Sequence, residues 1–135
     1  MTHTISRMLD THPAEATLDE QLLVDCLRAC VECAQACTSC ADACLSEEMV
    51  ADLRGCIRLN LDCADVCEAT ARVLTRRTAF DAVLAQALLE ACAVACRGCG
   101  DECSQHADMH EHCRVCADAC RRCEEACDRL LVSFG

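Results

Sequence analysis

Large aromatic side chains are almost absent from this sequence of 135 residues, which contains two phenylalanines, no tryptophan and no tyrosine. The hydrophobic core is therefore not filled by large rings. Lysine is also absent, so that all 12 basic residues are arginine, against 23 acidic residues and a net charge of −11. A balance this acidic disfavours nucleic acids and anionic membranes as binding partners.

Targeting signals are absent as well. The N-terminal stretch MTHTISRMLDTHPAEATLDE has no basic start followed by an apolar run of about seven to fifteen residues, as a secretory signal would. No later segment reaches the roughly twenty apolar residues of a membrane span. We therefore expect a cytoplasmic protein whose thiols are kept reduced. The chain length predicts one domain with a single core.

Cysteine is abundant instead, at 18 of the 135 positions. Residues 26–44 read CLRACVECAQACTSCADAC, with successive cysteines four, three, four, three and four residues apart. These steps follow the 3.6-residue turn of an α-helix, so the cysteines share one face. The pattern returns in three later segments, where Asn60 takes the place of one cysteine. The full set is Cys26, Cys30, Cys33, Cys37, Cys40, Cys44, Cys56, Cys63, Cys67, Cys92, Cys96, Cys99, Cys103, Cys113, Cys116, Cys120, Cys123 and Cys127.

The stripes predict an all-α fold, an antiparallel up-down-up-down four-helix bundle with a cysteine-lined core. Thr17, Thr78 and Asp108 each precede an acidic residue by three positions, as N-caps do, and Ser46 is a candidate cap for the second helix. Short connections make successive helices antiparallel neighbours. We expect residues 1–16 to form a tail or a short helix, and 17–134 the single metal-storage domain. The predicted helices span about 17–45, 47–75, 78–106 and 108–133.

Packing alone is a weak explanation for so many cysteines in register. A free cysteine packs as a small hydrophobic residue, and for one or two cysteines that would be the simpler interpretation. Leucine or valine would fill a core better, so we expect the sulfurs to do chemistry. Thiolates bind soft metals, chiefly Cu(I), Zn(II) and iron in clusters. The ferredoxin run C-x2-C-x2-C-x3-C is absent, which disfavours an iron–sulfur cluster.

Net charge favours Cu(I) over zinc, because a buried core tolerates little charge. Four zinc ions with four thiolates each would leave about −8 charges in the core. One Cu(I) in place of each thiol proton leaves the core near neutral. Since thiolates bridge metal ions, the core has room for about one Cu(I) per cysteine, or about 18 in all. The sequence predicts a non-enzymatic Cu(I) store that also protects the cell from free copper.

The two ends of the predicted bundle differ. Cys44 lies at the histidine end, which also collects Met49, His106, Met109, His110 and His112. Imidazole and thioether bind Cu(I) less tightly than thiolate does, which suits a mouth that passes metal inward. The opposite, leucine end is a predicted apolar plug formed by Leu18, Leu22, Leu74, Phe80, Leu84, Leu88, Leu130, Leu131 and Phe134.

With these features the chain resembles the four-helix-bundle copper storage proteins of bacteria, in their cytosolic branch. The resemblance covers about residues 17–134 and rests on the C-x3-C-x2-C stripes and on HADMHEHC at 106–113. It implies that the stripe cysteines hold Cu(I) in thiolate-bridged sites, that His106, His110 and His112 handle entry, and that bundles associate as homo-oligomers, often tetramers. Near Asn60 the sites should be sparser, or completed from other helices.

Other functions stay open. A zinc or mixed-metal buffer like a metallothionein would bind about four or five divalent ions. A thiol redox protein would cycle disulfides through a cysteine of low pKa, although none stands out here. An enzyme would need an open metal position beside a base, and no such position is recognisable. The partners of a copper store would be a copper chaperone or an acceptor cuproenzyme.

Overall fold

The computed structural model describes the backbone of residues 2–134 and the side chains of residues 4–134. Within this range the regular structure is entirely helical. A short N-terminal helix precedes four long ones, and a turn of 3-10 helix, Val50–Leu53, leads into the third of the five α-helices. The α-helices are α1 (Thr2–Asp10), α2 (Glu20–Leu45), α3 (Arg54–Leu74), α4 (Ala82–His106) and α5 (Glu111–Ser133).

The long helices α2 to α5 form the predicted antiparallel bundle. Each of them packs against two others, α2 on α3, α3 on α4, α4 on α5 and α5 on α2. This closed ring places the inner face of every helix on a common axis. All 18 cysteines lie on that axis and are at most 2 % exposed. Small residues beside the stripes, such as Ala64, Ala93 and Ala117, are buried as well.

Helix starts differ from the sequence predictions by a few residues. Asp19, not Thr17, is the N-cap of α2, and its side chain accepts a hydrogen bond from the Leu22 amide at 2.9 Å. Asp81 caps α4 in the same way through the Leu84 amide, so Thr78 is not the cap. Aspartate carboxylates satisfy free amides at both starts.

The two remaining predicted caps were also wrong. The residue before α5 is His110, and its side chain makes no capping bond, so Asp108 does not cap this helix. Ser46 ends α2, where its amide donates to the Ala43 carbonyl at 3.0 Å. The chain from Ser46 to Leu53 is needed to turn between α2 and α3, which moves the start of α3 to Arg54.

The leucine end contains the large apolar side chains of the core. Leu74, Leu89 and Leu130 are fully buried there. Leu84, predicted to belong to the plug, is 47 % exposed. Buried positions of α4 continue backward from Cys92 through Leu89 to Ala85, in steps of three and four. The register of the stripe therefore turns Leu84 outward. The further plug residues packed against the core are Leu18, Leu22, Phe80, Leu131 and Phe134.

Helix α1 lies against α2 beside the leucine end. Its Leu9 side chain is 2 % exposed. Arg77, in the connection between α3 and α4, donates a hydrogen bond to the Leu9 carbonyl at 3.0 Å and pairs with Glu20 at 3.3 Å. The first residues thus form a docked helix, and residue 1 of the predicted tail lies outside the described residues.

Among the described helices, α4 alone is long and apolar enough to cross a membrane by length and composition. Cysteine, alanine and valine, rather than a run of large apolar residues, supply much of the hydropathy of α4. The cysteine face of α4 is buried between α3 and α5. A core helix of a helical bundle passes the same test, so the property is weak evidence for a membrane location.

Candidate metal centre

The 18 sulfurs form one continuous column along the bundle axis. All are free thiols. Each of them except Cys44 has another Sγ atom at 3.6–4.0 Å, and Cys44 belongs to a group of four sulfurs that lie within 4.8 Å of one another. The column runs from the Cys26–Cys127 pair, 3.9 Å apart near the leucine end, to the Cys40–Cys113 pair, also 3.9 Å apart, near the histidine end. Helical steps of three and four produce this column, because each turn contributes one sulfur to the axis.

Groups of four sulfurs, each group within 4.8 Å, recur along the column. Cys33 and Cys63 belong to two of these groups, as do Cys37 and Cys120. Each of the five groups named below draws on three helices, and those that include a sulfur of α3 are completed by α2 together with α4 or α5. The groups are Cys30–Cys92–Cys123–Cys127, Cys33–Cys63–Cys67–Cys96, Cys33–Cys37–Cys63–Cys120, Cys37–Cys99–Cys116–Cys120 and Cys40–Cys44–Cys56–Cys113, with three more.

The sulfur separations suit a metal of coordination number three or four. With a metal–sulfur bond of about 2.3 Å, sulfurs lie about 3.8 Å apart around a tetrahedral ion and about 4.0 Å apart around a trigonal one. The observed 3.6–4.0 Å covers both cases. Some sulfurs belong to two groups. If both groups hold an ion, the shared sulfur bridges the two ions. The arrangement favours linked clusters over isolated sites.

Burial and mutual hydrogen bonding shift the pKa values of the thiols, upward at some cysteines and downward at others. Burial raises the pKa of Cys44 to about 11 and raises that of Cys113 as well. At the other end of the column, hydrogen bonds from Cys127 and Cys30 lower the pKa of Cys26 to about 5. Cys26 is nevertheless 0 % exposed, so a redox partner has no access to it. The structure therefore places no reactive thiol at the surface among the described residues.

Asn60 stands in the sulfur column and is fully buried. Its side-chain oxygen accepts hydrogen bonds from the thiols of Cys99 at 3.0 Å, Cys116 at 3.1 Å and Cys103 at 3.5 Å. Its amide nitrogen donates to Cys56 Sγ at 3.6 Å. Asn60, which interrupts the cysteine stripe of α3, thus forms hydrogen bonds with sulfurs of three helices, α3, α4 and α5.

His112 is the histidine that contacts sulfur. Its Nδ1 atom lies 3.4 Å from Cys40 Sγ and 3.6 Å from Cys113 Sγ. Its Nε2 atom lies 2.9 Å from a carboxylate oxygen of Glu47. The sequence spacing gave this residue the least support of the three histidines, since it directly precedes Cys113. Its position at the first turn of α5 turns the ring across to the end of α2.

The other two histidines each face a carboxylate. His110 Nδ1 lies 3.1 Å from Glu47, and His106 Nε2 lies 2.9 Å from Glu102. The Nε2 atom of His110 is buried and has no hydrogen-bond partner among the described residues. Sequence reasoning missed both glutamates. Glu102 was recognisable as the residue four positions before His106, whereas nothing in the sequence connects Glu47 to the histidines.

The two methionines at the histidine end are on the surface. Met49 is 38 % exposed and Met109 is 62 % exposed. Both lie in connections, Met49 between α2 and α3 and Met109 between α4 and α5. Their exposure distinguishes them from the buried sulfur column.

Comparison with known proteins agrees with this geometry. A family model described as copper storage protein matches residues 19–132, nearly the whole bundle. The chain belongs to the copper storage protein family. The matched range contains all 18 cysteines and the three histidines of the histidine end.

Solved structures of copper storage proteins superpose on this chain. Ccsp of Streptomyces lividans, loaded with 10 copper equivalents, is 57 % identical with a TM-score of 0.94, covering 96 % of this chain and 98 % of its own. A cytosolic copper storage protein of Streptomyces lividans with five coppers is 61 % identical, with a TM-score of 0.84 and coverage of 85 % and 96 %. Cu(I)-bound BsCsp3 of Bacillus subtilis is 37 % identical, with a TM-score of 0.68 and coverage of 78 % and 94 %.

Proposed function

We propose that this protein stores many Cu(I) ions in the cytoplasm, bound by the 18 thiolates of the bundle core. The observation that carries the proposal is the column of buried sulfurs, in which all but Cys44 have a neighbouring sulfur at 3.6–4.0 Å and several sulfurs are shared between groups of four. Sulfur is the ligand that Cu(I) prefers, and bridging lets the ion count approach the cysteine count. The cytoplasmic location is supported by the Streptomyces relative described as cytosolic.

X-ray absorption at the copper edge tests whether the sites are linked. We expect partly and fully loaded protein to show a coordination shell dominated by sulfur together with a short copper–copper vector, because shared sulfurs bring ions together. A sulfur shell without any copper–copper vector at full loading would contradict the proposal, since it would mean isolated sites.

Zinc is the second candidate cargo, and one observation supports it. Groups of four sulfurs within 4.8 Å provide the ligand set of a structural zinc site. Charge opposes it, since a Zn(II) ion with four thiolates leaves two negative charges in a core whose cysteines are at most 2 % exposed. We therefore propose copper as the main cargo and a zinc or mixed-metal buffer as the alternative.

Copper entry is proposed to occur at the histidine end, through His106, His110 and His112, with Met49 and Met109 as outer thioether ligands. The contact of His112 with Cys40 supports this direction, since an ion on that imidazole lies next to the first sulfurs. Replacing His106 and His110 together by alanine should slow Cu(I) uptake and leave the final capacity nearly unchanged. A large loss of capacity would move these histidines into the store itself.

We propose no catalytic role. We propose assembly as a homo-oligomer, and as a tetramer by family resemblance. Two exposed apolar side chains, Met8 at 63 % and Val31 at 52 %, line one surface depression between α1, α2 and α3 and support association. Sedimentation velocity of the reduced apo protein measures the assembly directly. A single monomeric species at micromolar concentration would contradict the oligomer.

A further inference from the structure

One carboxylate oxygen joins two histidines at the histidine end. Glu47 Oε2 lies 3.1 Å from His110 Nδ1 and 2.9 Å from His112 Nε2. Glu47 follows the end of α2, where its amide donates to the Cys44 carbonyl at 3.2 Å. Both histidines lie at the start of α5, so this oxygen bridges the two connections at that end of the bundle. The two imidazole rings are stacked, with centroids 5.5 Å apart.

The carboxylate decides which nitrogen of each ring bears hydrogen. An ionised carboxylate only accepts hydrogen bonds, so a neutral imidazole must present an N–H group to it. The other nitrogen of the ring then carries a free lone pair. A neutral His112 that donates from Nε2 to Glu47 at 2.9 Å keeps its lone pair on Nδ1. A neutral His110 with hydrogen on Nδ1, 3.1 Å from the carboxylate, avoids turning a lone pair toward the negative charge and keeps its lone pair on Nε2.

Both free lone pairs are suited to bind metal. His112 Nδ1 lies within 3.6 Å of two sulfurs, Cys40 and Cys113. His110 Nε2 is buried, in a side chain that is 8 % exposed, and finds no hydrogen-bond partner in the described part of the chain. A buried polar atom without a partner is unfavourable, and a ligand that binds there would satisfy it.

We infer that Glu47 is a positioning residue for copper entry, which holds His110 and His112 in opposite tautomers, each with its lone pair available to Cu(I). The inference rests on the proposed function, since it concerns how the entry ligands are prepared. Carboxylates that fix the tautomer of a metal-binding histidine have this effect in many metal sites. His106 has a separate carboxylate partner, Glu102, so the role of Glu47 is confined to the other two histidines.

The first readout is the tautomer of each histidine, measured by long-range nitrogen-15 NMR on reduced apo protein at about pH 9, more than two units above the reference imidazole pKa. We compare wild type with Glu47→Ala. Glu48→Ala is the matched control, because it removes the same charge from the adjacent, exposed position. Wild type and Glu48→Ala should show His110 as Nδ1–H and His112 as Nε2–H. Glu47→Ala should show a mixture for both.

The second readout is the rate of Cu(I) uptake by stopped flow, with final capacity counted on the same samples. Removing a group that hydrogen-bonds a metal ligand alters metal affinity or activity by about 10- to 100-fold. We therefore expect Glu47→Ala to take up copper at least about tenfold more slowly than Glu48→Ala. Its capacity should match wild type. Glu47→Gln retains an acceptor oxygen and should restore much of the rate.

Three results would overturn the inference. They are a wild-type spectrum with the opposite tautomers, unchanged tautomers in Glu47→Ala, and equal uptake rates in Glu47→Ala and Glu48→Ala. The wild-type spectrum decides the matter even if Glu47→Ala does not fold. A low copper capacity of the wild type would contradict the store instead, and it would leave the tautomer assignment standing.

Discussion

Asn60 is the residue at which the cysteine pattern is broken, and its amide holds four sulfurs together. Three thiols donate to its oxygen, and its nitrogen donates to a fourth sulfur. We predict that Asn60→Ala lowers the unfolding free energy of the reduced apo protein by about 1–3 kcal/mol, because it removes buried hydrogen bonds and leaves a cavity. Urea denaturation followed by circular dichroism measures this. Thr38→Ala on the exposed side of α2 is the control, and equal stability of the two variants would contradict the prediction.

His112 gives the apo protein a pH-dependent contact. Burial disfavours its charged form, but hydrogen bonds with Cys40 and Glu47 outweigh burial, so that the pKa of His112 is raised above the ordinary value of 6.5. A raised pKa in the folded state means that the protonated form stabilises the fold. This contribution is fully present below about pH 6.5 and is lost as pH rises through the raised folded pKa.

The difference in Tm between wild type and His112→Ala should therefore be larger at about pH 6 than at about pH 9. Thermal melts of reduced apo protein at the two pH values test this. His12→Ala, which changes a histidine after α1, is the matched control. A Tm difference for His112→Ala that is constant with pH, or larger at alkaline pH, would contradict the assigned sign.

At the scale of the helix, Arg77 links α1 to the bundle through a hydrogen bond and an ion pair. Its guanidinium donates to the Leu9 carbonyl near the C-terminus of α1, where a cation is favourable, and it pairs with Glu20 at the start of α2. We predict that Arg77→Ala speeds amide hydrogen exchange in α1 by at least about tenfold, while exchange in α2 to α5 stays near wild type. Arg76→Ala, at the adjacent exposed position, is the control and should leave amide exchange unchanged both in α1 and in α2 to α5. Uniformly faster exchange in all helices would contradict a local role.

The long helices could be predicted because one physical signal, sulfur at steps of three and four, repeats through each of them. The first residue of each helix could not be predicted in this way. Thr17 and Asp19 are both suitable N-cap residues for α2, and only the folded backbone decides that Asp19 accepts the hydrogen bond from the Leu22 amide. Leu84 was misplaced because leucine was taken as buried by type. In the structure the stripe register of α4 places Ala85 and Leu89 inside and Leu84 outside.

The candidate metal site also has a part that the sequence predicts and a part that it does not. The sulfur column follows from spacing within each helix, so it was predictable residue by residue. The contacts of Glu47 join positions more than sixty residues apart, between two connections, and no local pattern encodes such a meeting. His112 was underrated for the same reason, since its sulfur partner Cys40 lies on another helix.

At the scale of the whole molecule, loading should exchange protons for metal. Burial favours the neutral thiol for most of the column, as the pKa of about 11 at Cys44 illustrates. Each Cu(I) should therefore release about one proton at about pH 7, which keeps the core near neutral. A pH indicator in weakly buffered, anaerobic solution measures the release. Three or four protons per ion would contradict Cu(I) exchange and would fit zinc bound by four thiolates.

The central claim is that the sulfur column is a Cu(I) store. The most direct measurement is an anaerobic titration of fully reduced protein with Cu(I) against a competing chelator, with metal and thiols counted on the same sample. We predict saturation near one copper per cysteine, about 18 per chain, without displacement by zinc. Saturation at about four or five ions, with zinc preferred, would contradict the account and would leave a zinc buffer built on the same bundle.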